Sequence, residues 1–340
     1  MLPFHYHRAA NEKAALDALA NTVSSDDPAP TWANTQLLAG GTTMLDLMKL
    51  EVMRPAKLVD IGGLADLEKI ELTRDGLRLG ALARMAEVAN HPLLADYPVL
   101  AQSLTLAASA QLRNMATLGG NVLQRTRCTY FRDPSWKACN KRVPGSGCAA
   151  MEGFNRAHAI LGTSEHCIAT YAGDLAQALI ALDATLELHR QDGKRIVAIA
   201  DLHRMPGDRP DIESNLSPRE MIVAIRVPTK PWTRRSRFLK IRDRQSYEFA
   251  LASAAVALDL APDRTVREAR IALGGVATIP WRARKAEAAL VGKTIDEASA
   301  RQAGEIAFRD AKPSRHNAFK VALGERTVAR ALIETATMEA

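Results

Sequence analysis

The sequence predicts an α+β protein in two parts, and three observations carry this. At 340 residues the chain exceeds what one compact core usually holds. The run Pro228-Thr229-Lys230-Pro231 breaks the pattern of strands and helices, so a boundary is expected between residues 1–229 and residues 230–340. Beyond it come three strand candidates, Ser236–Arg242, Ala250–Leu258 and Val266–Leu273, then two or three helices from Trp281 onward. Strands followed by helices are the order of a small α+β domain.

Before the boundary the elements follow in turn. Asn11–Val23 carries Ala14, Leu16, Leu19 and Ala20 at helical spacing. Thr35–Ala39 is a short apolar run that ends in Gly40-Gly41, and Met44–Leu50 resumes at helical spacing: a strand, a turn and a helix. Lys57–Ile61 reads as the next strand. Ile70–Thr73 and Leu77–Leu79 flank Arg74-Asp75-Gly76, a hairpin signal, and Thr185–Ile199 folds around Asp192-Gly193 in the same way. Met85–Asn90, Val99–Ala110 and Leu175–Leu182 read as helices.

Composition excludes several classes. Hydrophobic residues at 47% and charged residues at 24% are ordinary for a globular chain. No run approaches about 18 apolar residues, so no membrane insertion is expected. Met1–Leu16 lacks the apolar core of a secretory signal. Lys and Arg total 45 against 38 Asp and Glu, a net charge of +7 that suits nucleic acid, an anionic cofactor or an acidic partner. With 5% aromatics there is little material for base stacking, which disfavours nucleic acid. The excess is local: from Arg125 to Cys148, Arg125, Arg127, Arg132, Lys137, Lys141 and Arg142 face a single anion, Asp133.

All four cysteines, Cys128, Cys139, Cys148 and Cys167, fall in that neighbourhood. Disulfides are disfavoured in a reducing compartment. Structural zinc usually shows a C-x₂₋₄-C knuckle, and the tightest spacing here, Cys139 to Cys148, is wider. Four buried free thiols fit poorly with a loop containing Asp133-Pro134 and Pro144-Gly145-Ser146-Gly147. A [4Fe–4S] cluster tolerates irregular spacing, and its net charge of about −2 would be offset by the cations. Iron–sulfur, zinc and no metal all stay open on this reading.

Two glycine pairs suggest a phosphate site. Leu37-Leu38-Ala39-Gly40-Gly41-Thr42-Thr43-Met44 joins a strand to a helix, and Thr117-Leu118-Gly119-Gly120-Asn121 precedes the cysteine segment. Such turns expose backbone N–H groups beside a helix N-terminus. The usual nucleotide fingerprints fail. Gly145-Ser146-Gly147-Cys148-Ala149-Ala150 follows no strand, and ahead of Gly292-Lys293-Thr294 the glycine position of a P-loop holds Glu287. His5 and His7 fit one strand face, His158 and His166 are poorer ligands than the thiols, and Asp174 reads as a helix N-cap. Gly62-Gly63 and Gly274-Gly275 read as turns. No catalytic acid, base or nucleophile stands out, as expected where a cofactor does the chemistry.

Leu37 to Met44, Thr117 to Asn121 with its Arg-x-x-x-Thr-x-Gly-Gly-Asn context from Arg113, and Ile271-Ala272-Leu273-Gly274-Gly275-Val276 together resemble the FAD-binding subunit of the molybdenum hydroxylases. That family includes xanthine dehydrogenase, carbon monoxide dehydrogenase and aldehyde oxidoreductases, and the resemblance runs nearly end to end. Most members lack the cysteine loop. Here Gln124-Arg125-Thr126-Arg127-Cys128, Cys139-Asn140-Lys141-Arg142 and Pro144-Gly145-Ser146-Gly147-Cys148 resemble the loop of periplasmic bacterial aldehyde oxidoreductases.

The resemblance implies a two-lobed FAD-binding domain over residues 1–229, with an inserted [4Fe–4S] loop at about 124–168, and a small C-terminal α+β domain over 230–340. It implies cluster ligands at Cys128, Cys139, Cys148 and Cys167. It implies FAD contacts from Leu37, Leu38, Ala39, Gly40, Gly41, Thr42, Thr43 and Met44, from Ala107, Thr117, Gly119, Gly120 and Asn121, and from Asp174, Ile222 and Lys240. The first loop departs from the family at Gly41, where Asn is common. The implied role is electron transfer in a heterotrimer, with the molybdenum cofactor and a [2Fe–2S] centre on partner subunits and an aldehyde as substrate. A purine or acyl-CoA hydroxylase subunit is the alternative within the family, and a basic zinc or nucleic-acid-binding module the alternative outside it. Export to the periplasm with a signal-bearing partner is also implied; otherwise the chain is cytoplasmic.

Overall fold

The computed structural model describes residues 1–20 and 33–339. Its first helix spans Glu12–Ala20, and the end of the expected helix at Val23 lies outside the described residues. Three sheets form the frame. β1 (His5–Arg8), β2 (Thr35–Leu38) and β3 (Lys57–Asp60) make a parallel sheet in the order β1-β3-β2. β4 (Ile70–Thr73), β5 (Gly76–Gly80), β6 (Thr185–Arg190), β7 (Gly193–Ala198) and β8 (Met221–Pro228) make an antiparallel sheet in the order β4-β5-β8-β6-β7. β9 (Ser236–Ile241), β10 (Ala252–Leu260), β11 (Val266–Gly274) and β12 (Trp281–Arg282) form the third, also antiparallel.

The central strand β8 is the element that sequence patterning missed. Met221 and Val223 bury against the small parallel sheet, whereas Ile225 and Val227 join the main core. A strict two-residue alternation would send all four to one face. The pairing with β6 slips by one residue beside Leu188, and this bulge turns the strand's apolar side over. One strand thereby serves two cores, and its sequence shows no clean period.

The third sheet is two-sided. Phe238, Ala255, Ala257 and Ala272 enter the main core, alongside the helices Pro98–Thr105 and Leu175–Ala181. Ala254, Val256, Leu258, Ile271 and Leu273 face the helices Glu297–Phe308 and Phe319–Ala336. Pro228 ends β8, Thr229-Lys230-Pro231 follows it on the way to β9, and the strands on either side share a core.

Two expected elements differ. Val99–Ala110 is two helices, Pro98–Thr105 and Ala110–Arg113. Ala108 takes φ of +50° between them, and Ser109 caps the second by accepting from the Leu112 N–H at 3.3 Å. Trp281 opens no helix: with Arg282 it is the edge strand β12, and the helix begins at Arg284. Arg282 is spent on Glu287, Asp183 and the carbonyl of Ile180.

The C-terminal helices cross at glycines. A Cβ on Gly304 would sit 2.5 Å from the carbonyl oxygen of Glu325. Alanine favours a helix over glycine by about 1 kcal/mol, but overpacking against a backbone atom costs about 1–3 kcal/mol. The clash wins, so Gly304→Ala should lower stability in denaturant unfolding; a gain would show that the helices move apart at no cost.

Candidate functional site

The two glycine turns meet. The first leaves β2 and enters the helix Met44–Lys49, which no side chain caps. Its Gly40 lies so close to the second turn that a Cβ would stand 2.0 Å from the carbonyl oxygen of Met115. Gly41 has φ of +73°, a backbone region that favours glycine. The second turn is itself the start of a short helix, Leu118–Val122, capped by Thr117, whose Oγ1 accepts from the Gly120 N–H at 3.4 Å. Gly119 and Leu118 donate their N–H groups to the carbonyls of Ala81 and Ala83 beyond β5, at 2.8 and 3.1 Å.

Between these turns and a facing wall lies a cavity of about 250 Å³. Leu37, Ala39 to Met44, Thr117 and Gly120 line one side; Tyr171, His203 and Glu213 are on the other. Three buried polar atoms in this region have no partner among the described residues: Asn121 Oδ1, Arg125 Nη2 and His203 Nδ1. An apolar wall with a few convergent, unsatisfied polar groups suits a bound organic cofactor. Leu38, Gly119 and Asn121 sit next to this lining and are not part of it. Glu213, Tyr171 and His203 belong to no motif, and only their distant contacts reveal them.

The cysteine segment packs beside the same cavity. All four thiols are free, and all four line one narrow space, together with Tyr130, Phe131, Asn140 and His166. The loop is held by backbone capture. The Arg142 guanidinium donates to the carbonyls of Tyr130 at 2.6 Å, Phe131 at 2.8 Å and Asp133 at 3.0 Å, and also to that of Trp136. Asn140 donates to the His166 carbonyl at 3.0 Å and accepts from the Gly147 N–H at 2.8 Å. Sulfur also accepts: Ala169 N–H lies 3.4 Å from Cys167 Sγ.

Burial pushes the Cys128 thiol up to about 12 and raises those of Cys148 and Cys167. Among the described residues, no three of His, Cys, Asp and Glu come together closely enough to hold a single metal ion.

The segment's positive charge is partly spent. Glu213 accepts from Arg125 at 2.5 Å and from Lys141 at 2.9 Å, and Asp46 takes Arg132 at 2.6 Å. Three of the six cations expected to balance a cluster are thus paired with carboxylates far away in sequence. Arg127 stacks over Phe249, 5.6 Å from the ring centroid.

Residues 2–230 match the family described as the FAD binding domain in molybdopterin dehydrogenase, and residues 237–335 match the CO dehydrogenase flavoprotein C-terminal domain. The chain belongs to the FAD-binding subunits of the molybdenum hydroxylases. It is 47% identical over 302 residues to the aldehyde oxidoreductase FAD-binding subunit PaoB of Escherichia coli, spanning 88% of this chain and 91% of that one. It is 24% identical to the glyceraldehyde dehydrogenase medium chain of Sulfolobus acidocaldarius, over 99% and 96%. In fold it matches the reconstituted CO dehydrogenase from Oligotropha carboxidovorans with a TM-score of 0.75 at 23% identity, over 100% of both chains.

In this flavoprotein subunit the remaining expected FAD residues lie elsewhere. Lys240, on β9, donates to Asp174 Oδ2 at 2.6 Å and to the carbonyl of Leu106, the neighbour of Ala107, at 3.1 Å. Asp174 stands at the start of the helix Leu175–Ala181 but does not cap it; its carboxylate is taken by Lys240. Burial raises the Asp174 carboxyl above its ordinary value, against the pull of the Lys240 ammonium. Ile222 lies buried in the main core on β8. None of Ala107, Asp174, Ile222 and Lys240 lines the glycine cavity. With the pair only 1% and 5% exposed, removing one partner strands a buried charge. Lys240→Met should cost the flavin-free subunit about 3–5 kcal/mol in denaturant unfolding. An unchanged midpoint would leave Lys240 a cofactor contact alone.

The cavity wall also sets an acid limit. Burial lowers His203 to about 4 from an ordinary 6.5. Between those values the unfolded chain binds a proton that the folded one refuses, so stability falls as pH drops through that window. Burial alone would raise Glu213, but Arg125 and Lys141 bring it to about 2 from 4.5; its contribution, present above 4.5, is lost toward 2. Melting temperatures between pH 7 and 4 should therefore decline, and His203→Gln should flatten the decline. A variant with the parent's slope would contradict this assignment.

Proposed function

We propose that this subunit carries electrons from a molybdenum subunit and a [2Fe–2S] subunit to an external acceptor, in a heterotrimer that oxidises aldehydes to carboxylates. Its two redox groups would be FAD at the glycine turns and [4Fe–4S] on Cys128, Cys139, Cys148 and Cys167. Family membership and the 47% identity to a subunit of an aldehyde oxidoreductase support the substrate class. The convergence of four free thiols on one narrow space carries the cluster reading. Such a cluster holds its irons at separate corners, one thiolate each, so its thiolates need not crowd round one point.

When bound, FAD supplies the capacity to take up electrons singly or in pairs. The cluster supplies a one-electron step. This chain's residues do the rest. Gly40 leaves room for the second turn, and Gly41, at positive φ, would let the first turn offer its backbone to a pyrophosphate, with Thr42 and Thr43 beside it. Lys141 and Cys167 line both the glycine cavity and the thiol space, so the two groups would be near neighbours. On the thiol side, Phe131 and Cys139 pack in a small apolar cluster with Leu47, Met48 and Leu58. Asp174 and Lys240 would fix the loop at Ala107, on which the far end of the cofactor would lean.

The chain would divide into an FAD-binding part, residues 1–229, carrying the cluster insert at about 124–168, and a C-terminal part, residues 230–340. Among the described residues, no helix is long and apolar enough to cross a membrane. The likeness of the cysteine loop to periplasmic enzymes supports a periplasmic complex exported with a signal-bearing partner.

Flavin, iron and acid-labile sulfide on anaerobically purified complex test the reading. One FAD, about four iron and four sulfide are expected on this subunit. Cys139→Ser should lose the iron and the cluster's visible absorption while keeping FAD. Flavin without iron in the parent would overturn the cluster, and unchanged iron in the variant would overturn the ligand set.

A further inference from the structure

One side chain touches a cysteine sulfur without being one of the four. His158 Nε2 lies 3.1 Å from Cys128 Sγ. Its other ring nitrogen, Nδ1, is buried and has no partner among the described residues. A neutral imidazole carries one proton. On Nδ1 that proton would be a buried donor without an acceptor, with a lone pair turned toward sulfur. On Nε2 it donates to sulfur and leaves only an unused acceptor. The surroundings therefore select the Nε2–H form.

The ring is held from far away in sequence. Lys320, on the C-terminal helix Phe319–Ala336, is fully buried and has no carboxylate partner among the described residues. Its ammonium donates to the carbonyl of His158 at 3.1 Å and to that of Gly275 at 2.6 Å. Asn317 Nδ2 donates to the carbonyls of His158 and Ala159, both at 3.3 Å. The His158 N–H is bonded to the Asn155 carbonyl at 3.0 Å, and Asn155 donates to Ala150 and Met151, just after Cys148. The ring also lies 6.1 Å from that of Tyr130, centroid to centroid. A fully buried lysine spent on carbonyls is costly to keep, and here it fixes a backbone whose side chain reaches a thiol.

We propose that His158 is a positioning residue for the cysteine-bound redox centre: its Nε2–H donates to the Cys128 sulfur, and Lys320 with Asn317 holds it there. This rests on the reading of the four cysteines as cluster ligands. A hydrogen bond to sulfur stabilises the more negative, reduced state, so it raises the reduction potential. The C-terminal part would thereby tune a centre to which it contributes no ligand.

The test is a redox titration of the cluster in the assembled complex, followed by electron paramagnetic resonance, with iron and sulfide counted on the same samples. His158→Leu should keep its iron while its midpoint moves negative. A tenfold less favourable reduction corresponds to about 59 mV for one electron. His158→Gln, which can still donate, should recover part of the shift, and Lys320→Met should show a smaller shift of the same sign. Full iron with an unmoved midpoint in His158→Leu overturns the role. Should that variant lose its iron, an unmoved midpoint in both His158→Gln and Lys320→Met overturns it instead. A parent without iron overturns the cluster reading itself.

Discussion

A partly buried carboxylate holds the candidate site together. Glu213 lies between Arg125 and Lys141, at the rim of the glycine cavity and behind the cysteine segment. Three charges taken from water are expensive unless each is met, and two cations on one carboxylate leave a net positive charge. That surplus faces Cys167 and the cavity, where the groups expected to bind are anionic. The wall is therefore electrostatically incomplete on its own, which is how a binding site differs from a structural ion cluster.

The same wall joins the glycine cavity to the thiol space. Lys141 and Cys167 belong to both spaces, and the insert is fastened to the first glycine turn through Arg132 and Asp46. The insert is thus anchored to the flavoprotein frame at several points, and Arg142 stiffens it from inside by gathering carbonyls. A segment whose regular structure here is two short helices, Thr129–Arg132 and Ala149–Glu152, can hold four thiols in one place only if its backbone polar groups are satisfied in this way.

The third sheet couples the C-terminal part to the rest. One face enters the main core, and Lys240 carries the connection on to Asp174 at full burial. Lys320 does the same for His158 from the other side of the sheet. Both are lysines removed from solvent, and both act on residues of the FAD-binding part.

Much of this was legible in the sequence by itself. Hairpins, glycine turns and the clustering of cysteines are local features, set by residue type over a few positions, and motif resemblance extended them to a family. The contacts of Glu213, the pairing of Asp174 with Lys240 and the reach of Lys320 were not legible, because each joins residues far apart in the chain and no periodicity encodes them. Strand β8 escaped because its bulge breaks the alternation that marks a strand, and Asp174 looked like a cap until a cation from another sheet claimed it. Local preference names the elements. Which buried charges meet is settled only when packing removes water and leaves each polar group to find a partner or go without.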